Sequence, residues 1–536
     1  MSHRGRVEQV HSRVYRNDWG GLTPPRIGRW DPELRVSVVI PARGGQRRLD
    51  LALASLAAQT YPDHLLDVVV VDAHSSPPLR LPVLRPRHCR VLPALDGALG
   101  AGCARAYGAH ASSGDILLWM DADMVACPEF VEAQARWHHV HAETVTLGRV
   151  RFADTGPADP ADVLSRVRAG TLHDTLETGR HHDWIERLLG DSRDLRDADH
   201  LGFHAYVGAA AGLRRSLYEA AGGLDPDLDL GQDTEFGYRL WQAGAVMVPE
   251  RAATAWHVGR ATAVRTRLPS ERFRTELLAE YMPHPHAYRE RLPAQRRRVP
   301  LVHAVVDVSG APYDLVRGCV DRILDSAETD LALTLVADWE GAARAADPHL
   351  DLRLIQANYL RDPRVSFASN APRTGFPSPF LLQVPVGRGL GQVALSRLLA
   401  SAERARAGLT ELFPAAASSH ERAVRLWRTR ALARALRVRR EGEDLGDVVA
   451  QLHGRYRIHA AEETLADLSL YRSVPPPPRR PPDLCRPVEA ARPEEDGRDG
   501  GRSGQGRPRR ADAAPGVGRI VEWLRSWRHG PSGHRF

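Results

Sequence analysis

The sequence contains no lysine; all 73 of its basic residues are arginine. Without an ε-amino group the chain has neither the cation that a Walker-A loop sets on nucleotide phosphates nor the amine that pyridoxal-phosphate and other Schiff-base enzymes need. It is also poor in cysteine. Its five cysteines, Cys89, Cys103, Cys127, Cys319 and Cys485, form no CxxC pair and are odd in number. That excludes a zinc ribbon and a disulfide framework and fits a reducing cytoplasm. No apolar run approaches the ~18 residues of a membrane-spanning helix. The opening MSHRGRVEQVHSRVYRNDW lacks the apolar stretch of a signal peptide. These absences predict a cytoplasmic protein, soluble or at most peripheral.

What is present is a chain of 536 residues, 43% hydrophobic, long enough for two to four domains with sizeable cores. Its formal charge of +7 would suit a polyanion, but residues 473–536 carry 13 arginines against 8 acids and hold most of that excess. The nearly balanced remainder argues against a nucleic-acid partner. The tail from PPPPRRPP to GRSGQGRPRR cannot bury enough apolar surface to fold, so 473–516 reads as a disordered linker. It leads to GRIVEWLRSWRHG, where Ile520, Trp523, Leu524 and Trp527 repeat at helical spacing with arginines off the stripe. A basic amphipathic helix over 517–536 suits peripheral contact with an anionic membrane at its inner face, and suits equally a dock on its own domain or a partner.

Residues 1–34 read as an N-terminal extension. From Val36 apolar strands alternate with amphipathic helices: VSVVI, RRLDLALASLAAQ, DVVVV, a helix over 101–112, DILLWM, and a helix from Pro128. This order predicts an α/β domain over 35–298, a Rossmann-type, mostly parallel sheet flanked by helices, with ligands at the carboxyl ends of its strands. Near Val299 the order begins again with LVHAVVDVSG, DLVRGCVDRILDSA and DLALTLVADW, and aligning Ile40 with Val306 sets Asp72 on Asp338. The strand SPFLLQVPVG then ends in Gly-Arg-Gly where the first copy has carboxylates. Residues 299–390 are therefore expected to form a degenerate, non-catalytic second half that packs on the first and shapes its acceptor site. The Ala-, Leu- and Arg-rich stretch 391–472 is expected to be helical.

Four features of the first domain carry chemistry. VVIPARGG and VVVVDAHS end two strands, and Asp72 at the second end either meets a nucleobase or ribose or caps its own turn. GALGAGCARAYGAHASSGD opens a helix with small residues and offers Arg105 to a phosphate or to solvent. DILLWMDADMV delivers Asp121 and Asp123 two residues apart at a strand end, hard oxygen ligands suited to Mg²⁺ or Mn²⁺ on a diphosphate, in a pattern that surface turns also show. In LDPDLDLGQDTEFGYRLWQAGAVMVPERAATAWHVG, Asp233 stands at a helix start, placed as a general base or as a capping group, and His257 returns after a strand as a structural residue or a further ligand.

Taken in order, these pieces resemble the family 2 glycosyltransferases of the GT-A fold over roughly residues 35–262. The resemblance implies a GT-A-like domain, a nucleotide-diphospho-sugar donor, a divalent metal (Mn²⁺ or Mg²⁺) and inversion at the anomeric carbon. It implies that Pro41, Ala42, Arg43, Asp72, Arg105, Asp121 and Ala122 bind the nucleotide sugar, that Asp123 and His257 hold the metal, and that Asp233 is the catalytic base. Arg105 or Arg260 would add to the neutralisation of the diphosphate. Ala73 after Asp72, Tyr107 in the glycine-rich stretch and Gln232 before the base depart from the family pattern and bear on donor identity.

Other readings share parts of this pattern. A haloacid-dehalogenase-type phosphatase also has Asp-x-Asp after a strand, but opens its domain with it and uses a downstream lysine. A nucleotidyltransferase needs a glycine-rich loop that usually ends in lysine, which PARGGQRR lacks. A catalytically degenerate scaffold would lose the carboxylates that the first copy keeps. The stretch HDTLETGRHHDW is expected to be a solvated helical face rather than a metal site, and sugar and acceptor are unspecified by the sequence.

Overall fold

The computed structural model describes residues 12–94, 100–154, 156–157, 159–176, 182–228, 230–259, 276–283, 298–344, 350–414, 423–461 and 464–468. No helix among them is long and apolar enough to cross a membrane. The expected linker 473–516, the helix 517–536 and Arg260 lie outside the described residues.

Runs of Val, Ile and Leu become strands, the central ones buried on both faces, as a sheet covered by helices requires. They are β1 (Val36–Ala42), β2 (Leu66–Asp72), β3 (Cys89–Pro93) and β4 (Ile116–Trp119), all parallel, followed by β5 (Met124–Ala126), β6 (Thr144–Ala153), β7 (Ala211–Arg214) and β8 (Val246–Val258). The order across the sheet is β3-β2-β1-β4-β7-β6-β8-β5, with β7 antiparallel to both of its neighbours. Helices α1 (Gln46–Leu56), α2 (Ala101–His110), α3 (Phe130–Val140), α4 (Pro160–Ala169), α5 (Asp183–Asp191), α6 (Arg215–Ala220) and α7 (Gln232–Gln242) connect or flank the strands. Leu49, Leu53, Phe130 and Val131 pack with Val38 and Ile40. Phe236, Tyr238 and Leu240 of α7 pack with Val39, Leu117, Trp119 and Leu213. The expected mostly parallel GT-A-like sheet flanked by helices is present.

The second half repeats the plan. Strands β9 (Val302–Asp307), β10 (Leu331–Val336), β11 (Val365–Ala368), β12 (Phe380–Gln383), β13 (Arg388–Leu390), β14 (Leu409–Pro414), β15 (Val424–Arg428), β16 (Arg455–Ala460) and β17 (Leu465–Asp467) come in this order along the chain. Its seven-stranded sheet has the order β11-β10-β9-β12-β15-β14-β16. As in the first sheet, the first four strands are parallel, the fifth is antiparallel to both neighbours, and the sixth and seventh are parallel to each other. Helices α8 (Tyr313–Leu324), α9 (Trp339–Arg344), α10 (Leu350–Tyr359), α11 (Ala394–Ala405), α12 (Thr429–Val438) and α13 (Leu445–His453) complete it.

Three expectations are corrected. The second α/β region does not stop at residue 390, and 391–472 is not simply helical: β14, β15 and β16 belong to the second sheet. LTELFP, VRLWR and RYRIHA are short and rich in Leu and Arg, so their local propensity is helical, and pairing with β12 and with one another overrides it. Second, the repeat is offset by one residue at β2: Val308 N–H bonds Val336 O, so Ala337 continues the register that sets Asp72 beside Ala42. Asp338 instead accepts from Gly341 N–H at 2.9 Å at the start of α9. Third, over its described residues 12–34 the N-terminal extension is an integral strap, since Asn17, fully buried, bonds Leu195 O and both polar atoms of the Met247 backbone.

Met120 N–H bonds Val39 O and Val384 N–H bonds Val305 O, so Pro385 and Gly387 occupy the places of Asp121 and Asp123.

Candidate active site

The site forms where the parallel strands of the first sheet end. β1 runs out in Pro41 and Ala42, and Arg43 leads to Gly44 and Gly45, both left-handed (φ 64° and 69°). That pair turns the chain into α1 and leaves the strand end open to a ligand. Beside it, β4 brings Asp121 out of the buried run Ile116–Trp119, and the chain returns as β5.

β5 pairs antiparallel with β8, opposing Met124 to His257. This register brings His257 Nε2 to 3.1 Å from Asp123 Oδ1. One ligand atom from each of Asp121, Asp123 and His257 lies within 4.8 Å of the other two. Burial pushes the Asp123 carboxyl up, against the pull of His257 and with the charge of Asp121 adding to it; Arg48, 3.8 Å away, pulls it down more weakly.

Arg105 of α2 lies between two carboxylates. Its side chain is only 5% exposed; Nη2 donates to Asp121 Oδ1 at 2.6 Å and Nη1 to Asp233 Oδ1 at 3.1 Å. Burial works against its charge, but Asp121 and Asp233 outweigh burial and raise its pKa above the ordinary arginine value. The other oxygen of Asp233 accepts the Gly208 N–H at 3.0 Å. Gly231 is the N-cap of α7 and no side chain caps it, so the Asp233 carboxylate is held by Arg105 and Gly208 rather than spent on its own helix.

Asp72 behaves in the opposite way. It is buried, and its two oxygens accept the N–H groups of Ser75 and Leu79, each at 2.9 Å. Burial pushes its carboxyl up, but the hydrogen bonds from Ser75 and Leu79 hold it below the ordinary aspartate value. Both oxygens are thus bonded to the backbone of its own loop, and Ala73 and His74 line the cleft.

These elements enclose a cleft of about 1300 Å³. Pro41, Ala42, Arg43, Arg105, Asp121, Ala122, Asp123, Asp233 and His257 all line it; of the residues expected to bind the sugar nucleotide or metal, Asp72 alone does not. Arg105 turns both terminal nitrogens to the carboxylates. Sequence reasoning missed Arg48, Phe152, His182 and the Val207–Ala209 loop on the cleft walls. Of the HDTLETGRHHDW stretch, residues 177–181 lie outside the described residues; His182 stands edge-on to Phe152 with ring centroids 4.9 Å apart. Gly208 had a signal in the small-residue run VGAAAG, because a Cβ there would stand 2.4 Å from Asp233 Oδ1.

Residues 37–222 match the family described as Glycosyl transferase family 2. The chain is 24% identical to a chondroitin synthase of Escherichia coli over 354 residues, 62% of this chain and 50% of that protein. It is 23% identical to a hyaluronan synthase of Pasteurella multocida over 386 residues, 67% of this chain and 38% of that protein. It thus spans half or less of these relatives' length. Solved structures give remote likenesses. GalNAc-T7 with UDP, GalNAc and Mn²⁺ has a TM-score of 0.34 at 16% identity, covering 47% of this chain and 48% of that one. A mannosyltransferase from Pyrobaculum calidifontis with GDP-Man and Mn²⁺ has 0.31 at 14%, covering 64% and 84%. Through residues 37–222 the chain is thus similar to glycosyl transferase family 2.

Proposed function

We propose that the first half is a metal-dependent, inverting glycosyltransferase that moves a sugar from a nucleotide-diphospho-sugar to an acceptor hydroxyl. The observation that carries this reading is the Asp233 carboxylate, held off its own helix by Arg105 and Gly208 and sharing one cleft with the Asp121, Asp123 and His257 cluster.

Two carboxylates and an imidazole form a mixed oxygen and nitrogen set that fits Mn²⁺ or Mg²⁺, and such an ion, when bound, offsets the charge growing on the departing diphosphate. Arg105 orients Asp121 and Asp233 together and balances part of their charge. Each Asp233 oxygen keeps a lone pair beyond its bond to the protein, and the side chain is 32% exposed, so it can accept an acceptor hydroxyl. Asp233 takes the hydroxyl proton as that oxygen bonds to the anomeric carbon. The bond from this carbon to the diphosphate breaks with its electron pair, and the nucleoside diphosphate departs. A single displacement from the opposite face inverts the centre. Because Arg105 has both terminal nitrogens on carboxylates, Arg43 and Arg48 on the cleft wall take the phosphate contact that a lysine supplies elsewhere. Asp72 acts by shaping the 73–79 loop that meets the nucleotide.

The test is a thermal-shift screen of UDP-, GDP- and dTDP-sugars with and without Mn²⁺, since a specific ligand raises apparent stability. Transfer from the selected donor is then assayed with saccharide acceptors, which the names of the chondroitin and hyaluronan synthase relatives recommend first. The shift should require Mn²⁺ and be lost in Asp123→Asn, whereas Asp233→Asn should keep it and lose transfer. No shift with any donor would favour a scaffold.

A further inference from the structure

α7 carries Asp233 at one end, and its other end is held by the second half. The helix closes with Gly244 at φ +95°, Gly244 N–H on Trp241 O and Ala245 N–H on Leu240 O. The carbonyls just beyond are taken by side chains of α12: Arg437 Nη1 donates to Ala243 O at 2.5 Å and Arg430 Nη1 to Ala245 O at 2.6 Å. The Arg430 guanidinium also stacks on Trp241, 3.4 Å from the ring centroid. Midway along α7, the Tyr238 hydroxyl donates to Pro377 O at 2.8 Å, in the loop before β12. Arg430 Nη2 then reaches Asn17 Oδ1 and Arg16 O, and Arg434 bonds Arg16 O and Val14 O, so α7, α12 and the N-terminal strap form one network.

The chemistry of this contact is unusual for simple adhesion. Arg430 and Arg434 are each only 3% exposed, and they are satisfied mainly by neutral carbonyls. An apolar seam would hold two halves together at lower desolvation cost, whereas buried guanidinium forks demand one geometry. Two cations also lie at the negative end of the α7 dipole. The half that supplies them has Pro385 and Gly387 in place of the paired carboxylates.

We propose that the second half is a brace for the catalytic helix: Arg430 and Arg437, with the Pro377 carbonyl, fix the far end of α7 and thereby set where Asp233 stands in the cleft. Arg430 and Arg437 are positioning residues. Asp233 and Gln242 lie about 14 Å apart along the helix, and a packed helix transmits a shift at one end to the other. The inference rests on the reading of Asp233 as the base.

The experiment uses the full chain with Arg430→Met, Arg437→Met and, as a variant that removes only a hydroxyl, Tyr238→Phe. Steady-state transfer is measured with Mn²⁺ and the donor selected by the screen, together with calorimetric titration of UDP, GDP and dTDP. Displacement of the base lowers kcat by about 10-fold or more in Arg430→Met and Arg437→Met and by a few-fold in Tyr238→Phe. The donor KM and nucleotide affinity stay within about twofold, because the strand ends, Asp123 and His257 lie on other elements. An unchanged kcat in folded variants overturns the brace, and so does a joint loss of kcat and nucleotide affinity, which marks a merely structural role. A wild-type chain that transfers no sugar refutes the base assignment and the brace with it.

Discussion

Gly208→Ala tests the geometry of the proposed base, Asp233, directly. A Cβ at this position would stand 2.4 Å from Asp233 Oδ1 and 2.7 Å from Arg105 Nη1. A carbon and a carboxylate oxygen settle at roughly 3.3–3.6 Å, so one of them must give way by about 1 Å. The neighbouring backbone is pinned, because Gly208 N–H bonds Asp233 Oδ2 and Ala210 O accepts the Gly148 N–H at 2.8 Å. The carboxylate therefore moves, with Arg105 behind it. A displacement of about 1 Å at a reacting group costs on the order of 100-fold, or about 2.7 kcal/mol of transition-state stabilisation. The assay is kcat for transfer, with the Mn²⁺-dependent thermal shift of the donor as the control, since Asp123, His257 and the strand ends do not touch the new methyl. A folded Gly208→Ala chain whose kcat lies within about threefold of wild type refutes the placement of Asp233 as the base.

Buried charge sets two further outcomes. Arg105→Met leaves Asp121 and Asp233 facing each other without their shared cation, so transfer should vanish and stability fall by about 1–2 kcal/mol, discounted because both carboxylates are partly solvated; thermal melting checks the second effect. In the second half, the fully buried Glu411 carboxylate accepts from Arg455 Nε at 2.8 Å, Arg425 Nε at 3.2 Å and Arg457 Nε at 3.3 Å. Burial pushes its carboxyl up, but Arg455, then Arg457 and Arg425, outweigh burial and hold it below the ordinary value of 4.5. Its stabilising contribution is therefore complete above pH 4.5 and is lost as pH falls through the lower folded value. Glu411→Gln should cost about 2–3 kcal/mol at neutral pH and flatten the acid limb of the melting profile; an acid limb as steep as wild type would show that other carboxylates set it.

Much of the first sheet and its site is legible in the sequence for a local reason. VSVVI, DVVVV and DILLW are apolar runs whose only stable home is a covered parallel sheet, and such a sheet presents the residues beyond each run at one edge. Asp72, Asp121 and Asp123 can thus be assigned to that edge before any coordinate is known, whereas Asp233 stands at a helix start. The same logic fails for β14, β15 and β16, whose Leu- and Arg-rich segments are strands only because neighbours far along the chain pair with them.

Local pattern by itself determined the class of fold, the absence of any lysine-dependent chemistry, and which carboxylates end up at the strand termini. Tertiary structure decided how each site carboxylate is held. Asp72 and Asp233 look alike in sequence, each an acid near an element boundary, yet the loop 73–79 folds back to take both oxygens of the first, while Arg105 and Gly208 hold the second toward the cleft. Arg105 bonds two aspartates, Asp121 sixteen residues on and Asp233 far along the chain. Such partners are set by strand order, register and close backbone approach, which bring distant residues together and leave no trace in the spacing of the residues themselves.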